Sequence, residues 1–273
     1  MMTDMVLSST NELGVLTLTM NRPNVLNSLN RPLVEALIEH FEQANKNDDV
    51  RIIILTGSGR GFCAGADLVD GQWPTDPSWS AGEATGHAMD IGFNPLVRAL
   101  HNCSKPVITA INGMAAGGGV GLALSGDLVI AAASAKFRLV FGPQLGIIPD
   151  VGASWLVPNL VGRSRANGLG LLGDNLDATT AAQWGMIWEC VADDKLMERA
   201  NELAARMADS AIGGLKAVSQ AHDHALVSTL DQQLDYEVAK QRHYCDQPEF
   251  AEGVRAFMEK RKPNFRDIKT KAK

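Results

Sequence analysis

Two glycine-rich turns and one aspartate are the residues of this chain whose types and spacing could do chemistry. The first turn lies in NGMAAGGGVGLALSGD (Asn112–Asp127), where Gly117, Gly118, Gly119 and Gly121 crowd the start of an apolar helix. Each glycine in a helix interior costs about 1 kcal/mol relative to alanine, so something must need close access to that backbone. The run follows PVITAIN (Pro106–Asn112), a continuous apolar stretch of the kind that forms a fully buried strand. Amides at the start of a helix lack intrahelical acceptors and carry partial positive charge, which suits a developing anion. The same glycines also allow a helix to pack tightly on a sheet, and the run alone leaves both readings open.

The second turn is GRGFCAGADLVD (Gly59–Asp70), again small residues placed directly after a buried strand, RIIILTG (Arg51–Gly57). Two such turns can aim two backbone N–H groups at one oxygen, as an oxyanion hole does. Other chemistries find no support. The register GxGxxG does not fit Gly117 to Gly126, and neither GxxxxGK[ST] nor GxSxG occurs, which removes the usual phosphate loops and the serine nucleophile elbow. His222 and His224 are two apart on a helical stretch and face different ways, so no metal is expected. The acid of interest is Asp150, in the apolar stretch GIIPDVGASW. Burial there would raise its pKa into a range useful for proton transfer. Aspartate is also a favoured N-cap for the helix that PDVGAS could open, and the residues themselves leave both roles open.

The elements that must position these groups alternate. GVLTLTM (Gly14–Met20) reads as a strand, and RPLVEALIEHFEQANKN as a helix with Leu33, Ala36, Leu37 and Phe41 on one face. A helix is expected from about Glu83 to His101, and DLVIAAASAKFRL supplies further short strands. Strand and helix in alternation indicate α/β layering. After Gly152 the pattern is helical, so residues 1–200 are expected to form the core and 201–273 a C-terminal helical region. The loop Val69–Gly82 carries Trp73 and Trp79; these either line a pocket or anchor the loop.

Composition sets the outer bounds. The 273 residues are 45% hydrophobic and 21% charged with a net charge of −6, an ordinary globular balance that argues against nucleic-acid binding. The basic stretch Lys260–Lys273 is the exception, either a contact for an anionic ligand or a solvated end. No run approaches the roughly 20 apolar residues of a membrane span. The start, MMTDMVLSST, lacks the pattern of a secretory signal. Four scattered cysteines without CxxC fit reduced thiols and a cytoplasmic location.

Taken in order, MNRPNVLNSLN, GFCAGADL, KPVITAINGMAAGGGVGLALSGD, AKFRL and GIIPDVGASWLVP resemble the crotonase (enoyl-CoA hydratase/isomerase) superfamily, over residues 14 to 265. The resemblance implies an α/β fold, a crotonase-like spiral of ββα units with a C-terminal helical trimerisation region. It also implies an acyl-CoA thioester substrate, no separate cofactor because coenzyme A is part of that substrate, and a homotrimer or dimer of trimers. Matched by motif, the oxyanion amides belong to Ala66 and Gly118. CoA is expected near Val25, Leu26, Ala64 and Leu68, with Phe257 and Lys260 contributing from the tail. Leu230, Leu234 and Val238 would face a partner copy.

The family's hydratases carry two glutamates. Their positions fall here on Gly121 and on Phe141 or Gly142, where the chain has one extra residue, and none of these is acidic. Asp150 matches the position of the base in the family's isomerase branches, and GIIPDVGASW through WGMIWECV resembles those branches most. The chain therefore reads as an acyl-CoA isomerase that either opens an arene epoxide or moves a double bond between the β,γ and α,β positions. If Asp150 is only a cap, the next candidates for the base are Asp70, Glu83 and His87; the alternative functions are a hydratase, hydrolase or lyase using other residues, and a non-catalytic acyl-CoA-binding protein.

Overall fold

The computed structural model describes residues 4–268. Its larger sheet has the order β1 (Val6–Thr10), β2 (Val15–Met20), β3 (Ile52–Gly57), β5 (Val107–Ile111), β7 (Leu128–Ala132), β10 (Glu189–Val191). All neighbours in it are parallel except β1 and β2. The smaller sheet runs β4 (Gly61–Cys63), β6 (Met114–Ala116), β8 (Lys136–Arg138), β9 (Leu176–Asp177). Each successive pair, β3 with β4, β5 with β6, and β7 with β8, puts its first strand in the larger sheet and its second in the smaller. A helix then follows: α2 (Ala81–Ala88) and α3 (Asn94–His101) after β4, α4 (Gly118–Leu124) after β6, and α5 (Ala153–Leu172) after β8. That repetition is the spiral of ββα units implied by the sequence.

Apolar patterning explains the frame. Every residue of β3 and β5 is buried, as continuous apolar strands require when both faces are covered. Helix α1 (Arg31–Lys46) is capped by Asn30, whose side chain accepts from the Leu33 amide, and it buries Leu33, Leu37 and Phe41. Ala36 of the expected face is only partly buried. The helix expected over 83–101 is interrupted: a π turn at Met89–Phe93 joins α2 to α3.

Five strands lie outside the sequence expectation: β4 and β6 within the two glycine-rich stretches, β9 and β10 among the later helices, and β1 at the start. β1 buries only Val6, and β10 is three partly buried residues at the sheet edge, set among helices. The later helices are α6 (Ala178–Gln183), α7 (Leu196–Ala208), α8 (Ile212–Ala225), α9 (Leu230–Cys245) and α10 (Pro248–Met258). Helix α7 packs across β2, β3, β5 and β7. Helix α8 is tied to the core by a buried ion pair, Lys216 Nζ to Asp127 Oδ1 at 2.7 Å; the other oxygen of Asp127 accepts from the first amide of β5. Helix α9 buries none of its residues, and α10 packs on it. Among the described residues, no helix is long and apolar enough to cross a membrane.

Candidate active site

The first glycine turn is a sharp reversal between β6 and α4. Gly117 has φ +52° and ψ −131°, a conformation that only glycine adopts readily, and its amide is held by the Arg138 carbonyl at 3.0 Å. Gly118 is therefore the first residue of α4, and its N–H has no backbone acceptor among the described residues. The flanking glycines are there for close approach as well. A β-carbon at Gly119 would collide with the Cys63 carbonyl oxygen. Cys63 is itself fully buried behind the turn, and burial pushes its thiol up to about 12, so it is inert.

The second turn is fixed by a short parallel bridge between Leu29 and Ala66. The Leu29 amide donates to Gly65, and the Asp67 amide donates back to Leu29. Alternation along this extended segment leaves the intervening Ala66 N–H without a backbone partner among the described residues. Asp67 locks the far side: its carboxylate takes Arg22 Nη2 at 2.8 Å and the amides of Val69 and Asp70. These partners, despite the opposing cost of partial burial, hold its pKa below the ordinary range. Gly65 lies against the first turn, since its β-carbon position is 3.1 Å from the Gly118 nitrogen. The structure thus brings the loops of Ala66 and Gly118 together.

Asp150 joins them from the segment before α5. Its Oδ1 is 3.2 Å from the point a Gly118 β-carbon would occupy. It is not a helix cap. The N-cap of α5 is Gly152, with φ +81° and no side-chain cap bond, and no neighbouring residue donates to the Asp150 carboxylate among the described residues. Burial pushes its pKa up, opposed only by its own backbone N–H.

The positions expected for the hydratase glutamates carry no acid, and at Gly121 there is no room for a side chain. A β-carbon at Gly121 would collide with the Val151 carbonyl oxygen. Phe141 is buried, with its ring edge 3.9 Å from the Gly117 β-position. The extra residue noted in the sequence sits in a π turn at Phe141–Leu145, the usual way a helix absorbs a single insertion. It ends at Gly146, whose amide reaches the carbonyls of both Gly142 and Phe141.

The remaining expected residues divide into two groups. Leu26 and Ala64 are adjacent through an Ala64 N–H to Leu26 carbonyl bond of 3.0 Å. Val25 and Leu68 are exposed at the ends of the same paired segments. Asn27, which sequence reasoning missed, fixes this corner: fully buried, it accepts from the Arg22 amide and donates to the Ser58 and Gly61 carbonyls. Phe257 is 82% exposed, and Lys260 follows α10 beside an Arg261–Glu252 pair that pulls the Glu252 carboxyl down to about 2. Helix α10 packs on α9, so within one chain these two residues are not gathered with the first four. In the Val69–Gly82 loop Trp73 is an anchor, stacked edge-on to Phe93 at 4.8 Å and filling the space a Gly92 side chain would need. Trp79 stands against His87. Glu83 closes a capping box with Ser80, which holds its pKa down and commits it to structure. Among the described residues, no cluster of three His, Cys, Asp or Glu could hold a metal; His224 stacks on Tyr236 instead.

A model of the enoyl-CoA hydratase/isomerase family matches residues 10–269. Over 260 residues the chain is 48% identical to the 1,2-epoxyphenylacetyl-CoA isomerase of Escherichia coli (strain K12), covering 93% of this chain and 95% of that one. It is 38% identical to a probable enoyl-CoA hydratase of Rhodobacter capsulatus, covering 92% and 94%. Among solved structures, an enoyl-CoA hydratase from Bacillus anthracis superposes with a TM-score of 0.87 at 30% identity, covering 97% of this chain and 100% of that one.

Proposed function

The chain belongs to the enoyl-CoA hydratase/isomerase family, the crotonase superfamily, and is a CoA-thioester enzyme; from that premise we propose that it is an isomerase. The observation that carries this reading is the single uncommitted carboxylate of Asp150 beside Gly118, with no acid at Gly121 or Phe141. Asp150 removes a proton from the carbon next to the thioester. The electron pair moves onto the thioester oxygen, where the Ala66 and Gly118 amides stabilise the charge. For a β,γ-enoyl group the enolate then takes the proton back at the γ-carbon, which shifts the double bond. For an epoxide of a phenylacetyl group the same enolate-like state accompanies ring opening. The 48% identical relative is named for the second substrate, and 2-(1,2-epoxy-1,2-dihydrophenyl)acetyl-CoA is the substrate we assign first, a β,γ-enoyl-CoA the second.

Water addition lacks its machinery here, because two positioned acids are needed to orient and deprotonate the water. CoA lies across Val25, Leu26, Ala64 and Leu68, and no separate cofactor takes part. The protein works as a trimer or dimer of trimers, which gives the exposed Leu230, Leu234 and Val238 of α9 a partner surface. Phe257 and Lys260 then act on a ligand held by a neighbouring copy.

The decisive experiment is Asp150→Asn, which keeps the shape but cannot accept a proton. It should fold and bind acyl-CoA yet lose nearly all turnover of β,γ-enoyl-CoA and epoxyphenylacetyl-CoA, while the wild type hydrates crotonyl-CoA poorly. Turnover near the wild-type rate would remove Asp150 from the chemistry.

A further inference from the structure

Val151 is a β-branched residue with φ +50°, a left-handed conformation in which such side chains are outliers. Among the described residues it is the only valine, isoleucine or threonine with positive φ. It is also 2% exposed. Its Cγ2 lies 2.6 Å from where a Gly118 β-carbon would be, and its carbonyl oxygen occupies the β-position of Gly121. Gly118 and Gly121 are three apart and share one face of α4. The two glycines therefore form the floor of a socket, and Val151 fills it. Asp150, the preceding residue, places Oδ1 3.2 Å from the same Gly118 β-position.

We propose that Val151 is a positioning residue for proton transfer: seated in the Gly118–Gly121 socket, it fixes the Asp150 carboxylate relative to the Gly118 amide. The proposal rests on the roles assigned above to Asp150 and Gly118. A strained backbone persists only where its surroundings over-determine it. Left to itself, residue 151 would relax to negative φ and swing the aspartate away from α4. The Cγ2 branch over Gly118 and the carbonyl oxygen over Gly121 oppose that rotation. The strain is thus held beside the site by packing, and the carboxylate inherits a fixed place.

No other ionisable group shapes that place. From α4 it is Gly118 that meets Asp150, its own segment offers Pro149 and Val151, and its shift comes from burial, opposed by its own N–H. Any rise in solvent access on losing the valine should therefore be visible in the titration of this carboxyl.

The test uses Val151→Gly, Val151→Ala and Val151→Thr, each checked for fold by circular dichroism, with Asp150→Asn beside them. Glycine accepts φ +50° without strain, so Val151→Gly should fold; Val151→Ala carries the same test should it not. In the folded variant kcat should fall about 10- to 100-fold, the scale of a small misplacement of a reacting group, with KM for the acyl-CoA little changed. The Asp150 carboxyl, followed by carbon-13 NMR and assigned by its absence in Asp150→Asn, should titrate nearer the ordinary carboxylate range. Val151→Thr, which keeps both branches, should restore kcat and the titration. Wild-type kcat with an unmoved titration in Val151→Gly overturns the proposal. So does a loss of kcat that leaves the titration unmoved, which marks a general packing role. If Asp150→Asn keeps full activity, the proposed base falls, and the titration alone still decides whether Val151 positions the carboxylate.

Discussion

Gly121 offers the sharpest physical test of why this site holds no second acid. Helix propensity alone favours Gly121→Ala by about 1 kcal/mol. Packing opposes it. The new β-carbon would collide with the Val151 carbonyl oxygen and stand 2.8 Å from its carbonyl carbon and 3.1 Å from the Ala153 nitrogen. All three atoms are backbone, so no rotamer change relieves the contact, and the whole segment 151–153 must move. Overpacking of a dense core costs about 1–3 kcal/mol, and a clash with backbone belongs at the upper end. Subtracting the helix gain leaves a loss of roughly 2 kcal/mol. In a chain of 273 residues, whose unfolding entropy scales with length, that lowers Tm by about 3–4 °C. The displaced segment carries Asp150, so isomerase turnover should fall with stability, by up to about 100-fold. Gly121→Glu, which restores the acid of the hydratases, should do worse on both counts and should not gain hydration of crotonyl-CoA. Thermal melts and the two activities measured side by side decide it. Gly121→Ala with wild-type Tm and turnover, or a hydrating Gly121→Glu, would refute the argument.

Four further outcomes are expected. Asp150 has a raised pKa in the fold, so its contribution to stability is fully present below the ordinary carboxylate pKa and is lost as pH rises through the raised value. Asp150→Asn should accordingly melt higher than the wild type at neutral pH, with the gap closing in acid; a lower Tm at neutral pH would contradict the burial of the charge. Removing one oxyanion donor by Ala66→Pro should cost about 10²–10³ in turnover, once dichroism shows the variant folded, and near wild-type turnover would cancel the assignment. Light scattering at micromolar concentration should give a trimer or its dimer rather than a monomer. Lys260→Glu should weaken CoA binding at low salt, where charge attraction is least screened, and unchanged affinity would take Lys260 out of the site.

Elements with a strong internal period were legible before any coordinates. The alternation in Val15–Met20, the helical face of Leu33, Leu37 and Phe41, and the apolar runs of β3 and β5 each specify one packing solution. β1 and β10 were not legible, because edge strands with one or no buried side chain carry little hydrophobic signal. The π turns at Met89–Phe93 and Phe141–Leu145 have no sequence period at all; only the extra residue near Phe141 hinted at the second. Asn27 stayed hidden because its three hydrogen bonds join segments far apart in the chain. Asp150 shows the limit from the other side. Its local sequence fits a cap, and what decides against that is the backbone of Val151 and Gly152, both at positive φ, which moves the cap position two residues on.

Reaction class in this site follows from occupied volume more than from added charge. Gly118 and Gly121 are needed by the incoming Val151 segment, and that need forbids a side chain at residue 121. Phe141 fills the other hydratase position with an apolar ring against Gly117. Both features remove groups that would hold a water, and leave Asp150 as the carboxylate beside Gly118. A partly buried carboxylate that takes a hydrogen bond only from its own amide binds a proton more readily than one in water, so Asp150 is suited to take a proton from carbon and give it back. On the proposed reading the Ala66 and Gly118 amides take up the charge in between, at little cost in reorganisation because both loops are already fixed by backbone bonds. Proton transfer within one bound molecule needs one such group, whereas hydration needs a second to handle water. An acid at residue 121 could be added only by dismantling the contact that places Asp150.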